Sequence, residues 1–325
     1  MFTEILILIV SLIFLVWSAD KFVYGAAAVA RNLGIAPMII GLTIVAMGSS
    51  APEMVVAATA ALQGAPNTAI GNAIGSNITN IALVLGITAI FKPLLVQSST
   101  IKREIPLLLI VTFIASVMLY NLQFSFAEGV ALLIGFILFI TVLIVISLRQ
   151  SKEEREKDPM LSEAVSEIPE DVSTSAAIIW LLVGMALLPL SANFLVESAT
   201  AIAKDFGVSD LVIGLTIIAI GTSLPELAAS VVSIIKKEDD LALGNIIGSN
   251  IFNILAVLAI PGLLAPGPVD AQVASRDVPY MMGLTLLLFF LCFSLRGKFS
   301  IRRIEGGILV VAFIFYQYLI FSQMV

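Results

Sequence analysis

"GLTIVAMGSSAPE" (residues 41–53) sits within an apolar run long enough to cross a membrane, and "GLTIIAIGTSLPE" (214–226) sits within another. Each ends in a proline followed by a glutamate. Glu53 and Glu226 are 173 residues apart, and that offset holds without a gap from Ser18 to about residue 87. Outward from the first motif, "SADKFVYGAAAVARNLGIAPMIIGLTIVAMGSSAPE" (18–53) aligns with "SANFLVESATAIAKDFGVSDLVIGLTIIAIGTSLPE" (191–226). "GNAIGSNITNI" (71–81) aligns with "GNIIGSNIFNI" (244–254). The chain therefore carries an internal repeat whose most similar stretches are polar, where packing alone asks for no polarity.

Ten hydrophobic segments follow from the pattern: 5–30, 38–62, 69–91, 105–120, 126–148, 176–203, 211–235, 241–264, 278–296 and 304–323. Segments of this length satisfy their backbone in lipid as helices, so the fold class expected is an all-α polytopic membrane protein. Five spans separate equivalent points of the repeat. Five is odd, so the two halves run in opposite directions across the membrane. Residues 1–148 form the first five-helix repeat, 149–175 an acidic linker, and 176–325 the second repeat, inverted. Inverted repeats with interrupted helices are a signature of secondary transporters.

Composition agrees. Of 325 residues, 59% are hydrophobic and 12% charged, against about 25% charged in soluble domains. Eight of the 23 acids fall in residues 151–174, so the net charge of −6 says little about partners, and no basic stripe suggests nucleic acid. The single Cys292 excludes an internal disulfide, and the absence of histidine removes the commonest metal ligand and proton shuttle. The N-terminal "MFTEILILIVSLIFLVW" lacks a positive leader and a clear cleavage site, and reads as a retained first helix. With both ends on one side, 14 lysines and arginines fall on one face and two, Lys204 and Arg276, on the other. The positive-inside rule then puts both termini outside and the linker in the cytoplasm of a plasma or inner membrane.

An ionised carboxylate at mid-membrane costs at least about 2.5–3.5 kcal/mol. No lysine or arginine shares a span with Glu53 or Glu226, which leaves protonation or a bound cation. The neighbours favour a cation. Pro52 and Pro225 lack the N–H that would bond the carbonyls near Gly48 and Gly221. Those two glycines let the backbone depart from helix. Ser49 and Ser50, and Thr222 and Ser223, add hydroxyls, with Ser49 and Ser50 at i−4 and i−3 from Glu53 so that they can share its helix face. Carboxylate, hydroxyl and carbonyl are all oxygen donors, which hard cations such as Ca²⁺ and Na⁺ prefer. In the second motif, Gly71 and Gly75, and Gly244 and Gly248, form small-residue faces for close helix approach. Ser76 and Asn80, and Ser249 and Asn253, lie at i,i+4 and can offer neutral oxygens to the same centre. Asn72, Asn77, Asn245 and Asn250 read instead as hydrogen-bonding glue between helices. Glu197 is a weaker candidate for an ion path, and Glu128 and Glu305 suit helix starts.

These motifs resemble the α-repeats of the sodium/calcium exchanger family, within the calcium/cation antiporter superfamily, and the likeness covers nearly the whole chain in the manner of its compact prokaryotic members. It implies ten helices around one calcium site and several sodium sites, with no cofactor. Glu53 and Glu226 would be ligands shared by both ions. Ser49 and Thr222 would contribute hydroxyl and carbonyl oxygens, Ala46 and Ala219 their carbonyls. Ser50, Ser223, Ser76 and Ser249 would complete the sodium sites, and Asn80 and Asn253 the middle position. The first and sixth helices would slide as a bundle. The chain departs from the potassium-dependent branch, which carries a carboxylate at Asn253, and Ser49 stands where a threonine is usual. The large cytoplasmic regulatory domain of animal exchangers is absent. The function implied is electrogenic antiport of Na⁺ against Ca²⁺, with membrane lipid and inorganic cations as partners. A divalent cation/proton antiporter is the alternative. A cation channel would not explain the inverted repeat, and no catalytic constellation suggests an enzyme. Oligomeric state is not legible.

Overall fold

The computed structural model describes residues 2–35, 37–96, 98–149, 172–206, 219–292 and 300–322. The expected linker 149–175 lies outside the described residues apart from 149 and 172–175. The helices are α1 (Phe2–Leu33), α2 (Gly41–Ser49), α3 (Ala51–Leu62), α4 (Pro66–Phe91), α5 (Ser98–Tyr120), α6 (Phe126–Arg149), α7 (Thr174–Asp205), α8 (Leu224–Ile235), α9 (Asp239–Leu264), α10 (Val273–Cys292) and α11 (Arg303–Ser322). Among the described residues eight are long and apolar enough to span a membrane, and the bent pair α2–α3 makes a ninth. The remaining apolar segment, 211–235, is described only from Ala219, as the turn Ala219–Gly221 followed by α8.

Two compact units are built from these elements, and each draws on both halves of the sequence: Met1–Ser49 with Ile146–Asn245, and Ser50–Val145 with Ile246–Val325. In the first unit α1 packs along α7, and small residues decide how closely. A Cβ on Gly184 would lie 2.6 Å from the Cα of Phe22. One on Gly25 would run into the backbone of Leu181 and lie 2.8 Å from the carbonyl of Ala177. Lipid offers no hydrophobic drive for helix association, so such backbone approach is what brings van der Waals contact. Trp17 and Trp180 meet edge to face across this seam, their rings 6.3 Å apart. Asp20 pairs with Lys21 at 3.2 Å. It also takes Lys236 from the end of α8 at 2.7 Å.

The second unit shows the repeat in its smallest parts. Strand β1 (Leu94–Leu95) pairs with β4 (Ser300–Ile301), and β2 (Gln123–Phe124) with β3 (Gly267–Pro268), both antiparallel. Each ribbon thus joins one strand from each half. Ser125 and Glu128 form a capping box at the start of α6: the Glu128 carboxylate accepts from the Ser125 N–H and hydroxyl, both at 2.7 Å. Glu305 repeats this for α11, accepting from the Arg302 N–H at 3.0 Å. These are the helix-start roles expected of the two glutamates. Gly129 meets the backbone of Gly262, and Gly306 meets Gly86 and Ala89, the same contact in both halves.

Burial separates two helices from the rest. The most apolar windows of α4 and α9 are 72% and 89% buried, against 22–39% for the other six spans. These two carry the "GSN" motifs, so the polar half of the repeat lies on its least lipid-exposed helices.

Candidate ion-binding site

The backbone breaks where the first motif places its hydroxyls. Between α2 and α3, Ser50 sits at φ −86°, ψ 10°, and Ser223 before α8 sits at φ −95°, ψ 6°. The helix restarts directly after, with proline in its first turn, where a missing N–H costs nothing. Restarting N–H groups take the serine carbonyls: Met54 to Ser50 at 3.3 Å, Leu227 to Ser223 at 3.0 Å. Glu53 and Glu226 therefore each lie in the first turn of a helix, near its positive end.

Two sequence expectations are corrected here. Gly48 does not mark the break; it lies in helix, where a Cβ would come within 3.0–3.1 Å of the Phe22 ring and Met185. Gly221 is likewise helical and packs on Val196. The break also falls between Ser49 and Glu53, so these two do not share a helix face; Ser49 ends one helix and Glu53 begins the next.

Glu53, Glu226, Ser49, Ser50, Asn80, Ser249, Asn253 and Ala46 have no exposed surface, and Ser76 and Ser223 keep at most 4%. Thr222 is half-buried. Ala219 opens the turn before Thr222.

In the second unit Asn72, Ser76 and Asn80 follow one another at i, i+4 and i+8 on α4, which packs against α3. Asn72 donates to the main-chain carbonyl of Glu53 at 3.1 Å, which turns this face of α4 toward the glutamate helix. Its repeat counterpart in the first unit, Asn245, donates to the carbonyl of Glu226 at 3.4 Å. Asn245 also accepts from the Ser49 hydroxyl at 3.0 Å. Read as helix glue, these asparagines are more specific than that: each holds the backbone of a candidate glutamate. Asn250 bonds Ile246 of its own helix at 2.7 Å, and Asn77 reaches the sulfur of Met281 at 3.6 Å. Gly244 closes on Gly41 as a small-residue face should; a Cβ on Gly71 or Gly75 would meet nothing within 4 Å among the described residues.

A feature the sequence did not announce lies at the two middle asparagines. Helix α4 turns to π hydrogen bonding at Asn80–Leu85, and α9 does so at Asn253–Val257, the same repeat position. The Asn253 carbonyl accepts from Leu258, five residues on, at 2.8 Å. Both amide atoms of Asn80 and of Asn253 are buried with no hydrogen-bond partner among the described residues. π turns concentrate at functional sites. Glu197 is exposed. Among the described residues no three acidic, histidine or cysteine side chains gather into a metal cluster, so neutral oxygens and two separate glutamates are the chemistry on offer.

Inverted repeats, helices interrupted at buried carboxylates, and an all-oxygen donor set define a membrane transporter of inorganic cations. The profile of the family described as "Sodium/calcium exchanger protein" matches residues 3–145 and 176–322, one match per repeat. A protein named CaxA from Alkalimonas amylolytica is 55% identical over 99% of this chain and its own full length. "Sodium/calcium exchanger MaX1" of Methanosarcina acetivorans is 31% identical over 97% of this chain and 98% of its own. A solved structure of the sodium-calcium exchanger NCX_Mj superposes with a TM-score of 0.80 at 32% identity, covering 96% of this chain and 97% of that one. The chain belongs to the sodium/calcium exchanger family, with its ten-helix inverted-repeat fold. It is a cation antiporter and not an enzyme.

Proposed function

We propose that this chain exchanges Na⁺ for Ca²⁺ across the membrane by alternating access, through one cluster built on Glu53 and Glu226. The reading rests on one observation: two fully buried glutamates at equivalent repeat positions, each opening a helix directly after a break lined by hydroxyls. The remaining ligands are the hydroxyls of Ser49, Ser50, Thr222, Ser223, Ser76 and Ser249, the carbonyls of Ala46 and Ala219, and the amides of Asn80 and Asn253. Sharing the same carboxylates makes the two ions compete, and competition is what couples them. An empty pair of ionised glutamates in a low-dielectric interior costs several kcal/mol, so crossing unloaded is penalised and leak is suppressed. Both termini lie outside and residues 149–175 in the cytoplasm, as the 14-to-2 charge bias requires.

The test is ⁴⁵Ca uptake into proteoliposomes driven in turn by Na⁺, H⁺ and K⁺ gradients. Uptake is expected to follow sodium alone. E53Q and E226Q are expected to lose nearly all of it while remaining folded, because the amide keeps the shape and removes the charge that balances the ion. Uptake that ignores sodium and follows the pH gradient would replace sodium coupling with proton coupling. Wild-type uptake in the doubly substituted protein would remove the glutamates from the site.

A further inference from the structure

Asn245 belongs to no ligand set above, yet it touches residues of both repeats that do. It is fully buried in the second turn of α9. Its Oδ1 accepts from the Ser49 hydroxyl at 3.0 Å, and its Nδ2 donates to Ser230 Oγ at 3.0 Å and, more weakly, to the Glu226 carbonyl at 3.4 Å.

The direction of these bonds is decided by chemistry. A main-chain carbonyl can only accept, so the end of the amide that faces Glu226 is the NH₂. The end facing Ser49 is then the carbonyl oxygen, which can only accept in turn. Ser49 has one proton to give. Another acceptor within reach is the Ala46 carbonyl, at 3.3 Å. A hydroxyl that binds a cation must point its proton elsewhere, and a carbonyl that binds a cation is poorer for accepting that proton. Asn245 resolves both demands: it draws the Ser49 proton and leaves the Ala46 carbonyl to the ion.

We infer that Asn245 is a positioning residue, orienting the Ser49 hydroxyl as a cation acceptor and tying the first-repeat motif "GSSAPE" to the second-repeat Glu226. The inference rests on the ligand role proposed above for Ser49. The device is stronger in one repeat than in the other. Asn72 makes the matching bond to the Glu53 carbonyl at 3.1 Å. The repeat counterpart of Ser230, however, is Ala57, so Asn72 lacks that third anchor. Ala57 also shows that the fold accepts alanine at this place.

A double-mutant cycle between Asn245 and Ser49 tests it, read as half-saturating Ca²⁺ in sodium-driven proteoliposome uptake. N245A is expected to raise half-saturating Ca²⁺ about tenfold, the usual size of an outer-partner loss at a metal site, with maximal rate within about twofold. S49A is expected to do much the same, and N245A/S49A to be no worse than the stronger single change, since both remove one oriented hydroxyl. Losses that multiply would show that Asn245 acts through packing and overturn the inference. So would an impaired S49A beside an unaffected N245A, which leaves the ligand set intact. An unaffected S49A would remove Ser49 from the site and the inference with it. Should N245A fail to fold, S230A carries the cycle. Its expected two- to threefold loss should vanish in the S49A background, and its persistence there would overturn the inference.

Discussion

Asn80 and Asn253 are the residues at which the charge of the proposed site is decided. Both amides are buried, and neither nitrogen nor oxygen has a hydrogen-bond partner among the described residues. An unsatisfied buried polar group costs about 1–3 kcal/mol, a cost that a bound cation or water removes. Being neutral, they leave the charge to two glutamates. Asn253→Asp adds a third carboxylate, which favours cation binding regardless of species and so disturbs the balance between Na⁺ and Ca²⁺. The expected outcome is a several-fold shift in the sodium dependence of calcium uptake, or acquired sensitivity to K⁺, measured in proteoliposomes. An unchanged profile would place Asn253 outside the site. Most of the candidate residues were legible because charge and amide are costly in a membrane and a repeat says twice which ones are retained. Asn245 joins helices as the sequence reading has it, but its particular partners were not legible, because Ser49 lies 196 residues away along the chain, which spacing along one helix does not reveal.

At the scale of elements, the sequence marks a break near the prolines but not its place. Proline belongs in the first turn of the restarting helix, so the break precedes it, at Ser50 and Ser223, and the glycines upstream serve packing instead. The π turns at Asn80 and Asn253 left no trace in residue pattern, since α and π hydrogen bonding ask the same apolar spacing of so short a stretch. The α1–α7 seam is where packing can be tested. Gly184→Ala sets a Cβ against the backbone of Phe22. Backbone cannot swing away as a side chain can, and overpacking of this kind costs about 1–3 kcal/mol. The variant is expected to unfold several degrees earlier in detergent. Its tryptophan fluorescence should shift, because the chain's two tryptophans, Trp17 and Trp180, face each other on this seam. Gly283→Ala is the control: nothing lies within 4 Å of its added methyl, and no loss of stability is expected. Equal losses in the two would mean that the close approach at Gly184 does not matter.

For the whole molecule, the halves read from the sequence and the compact units of the structure are cut differently. The repeat is a statement about chain order, whereas each unit takes helices from both repeats. Strands of two residues are too short to show a period, so the ribbons that join the halves could not have been anticipated. Charge, by contrast, can be followed from residues to function. If the proposed cluster holds two ionised glutamates, one Ca²⁺ neutralises them, and three Na⁺ in its place leave one positive charge. Exchange of three sodium ions for one calcium ion therefore moves one charge per cycle in the direction of sodium. Across 100 mV that charge is worth about 2.3 kcal/mol, roughly 50-fold in the calcium ratio a sodium gradient can sustain. In sodium-loaded vesicles taking up ⁴⁵Ca, net positive charge leaves with sodium. An interior-positive potential set with K⁺ and valinomycin is therefore expected to speed uptake, and an interior-negative one to slow it. Uptake indifferent to potential would mean that two sodium ions balance each calcium ion, and the cluster would then stay neutral on both legs of the cycle.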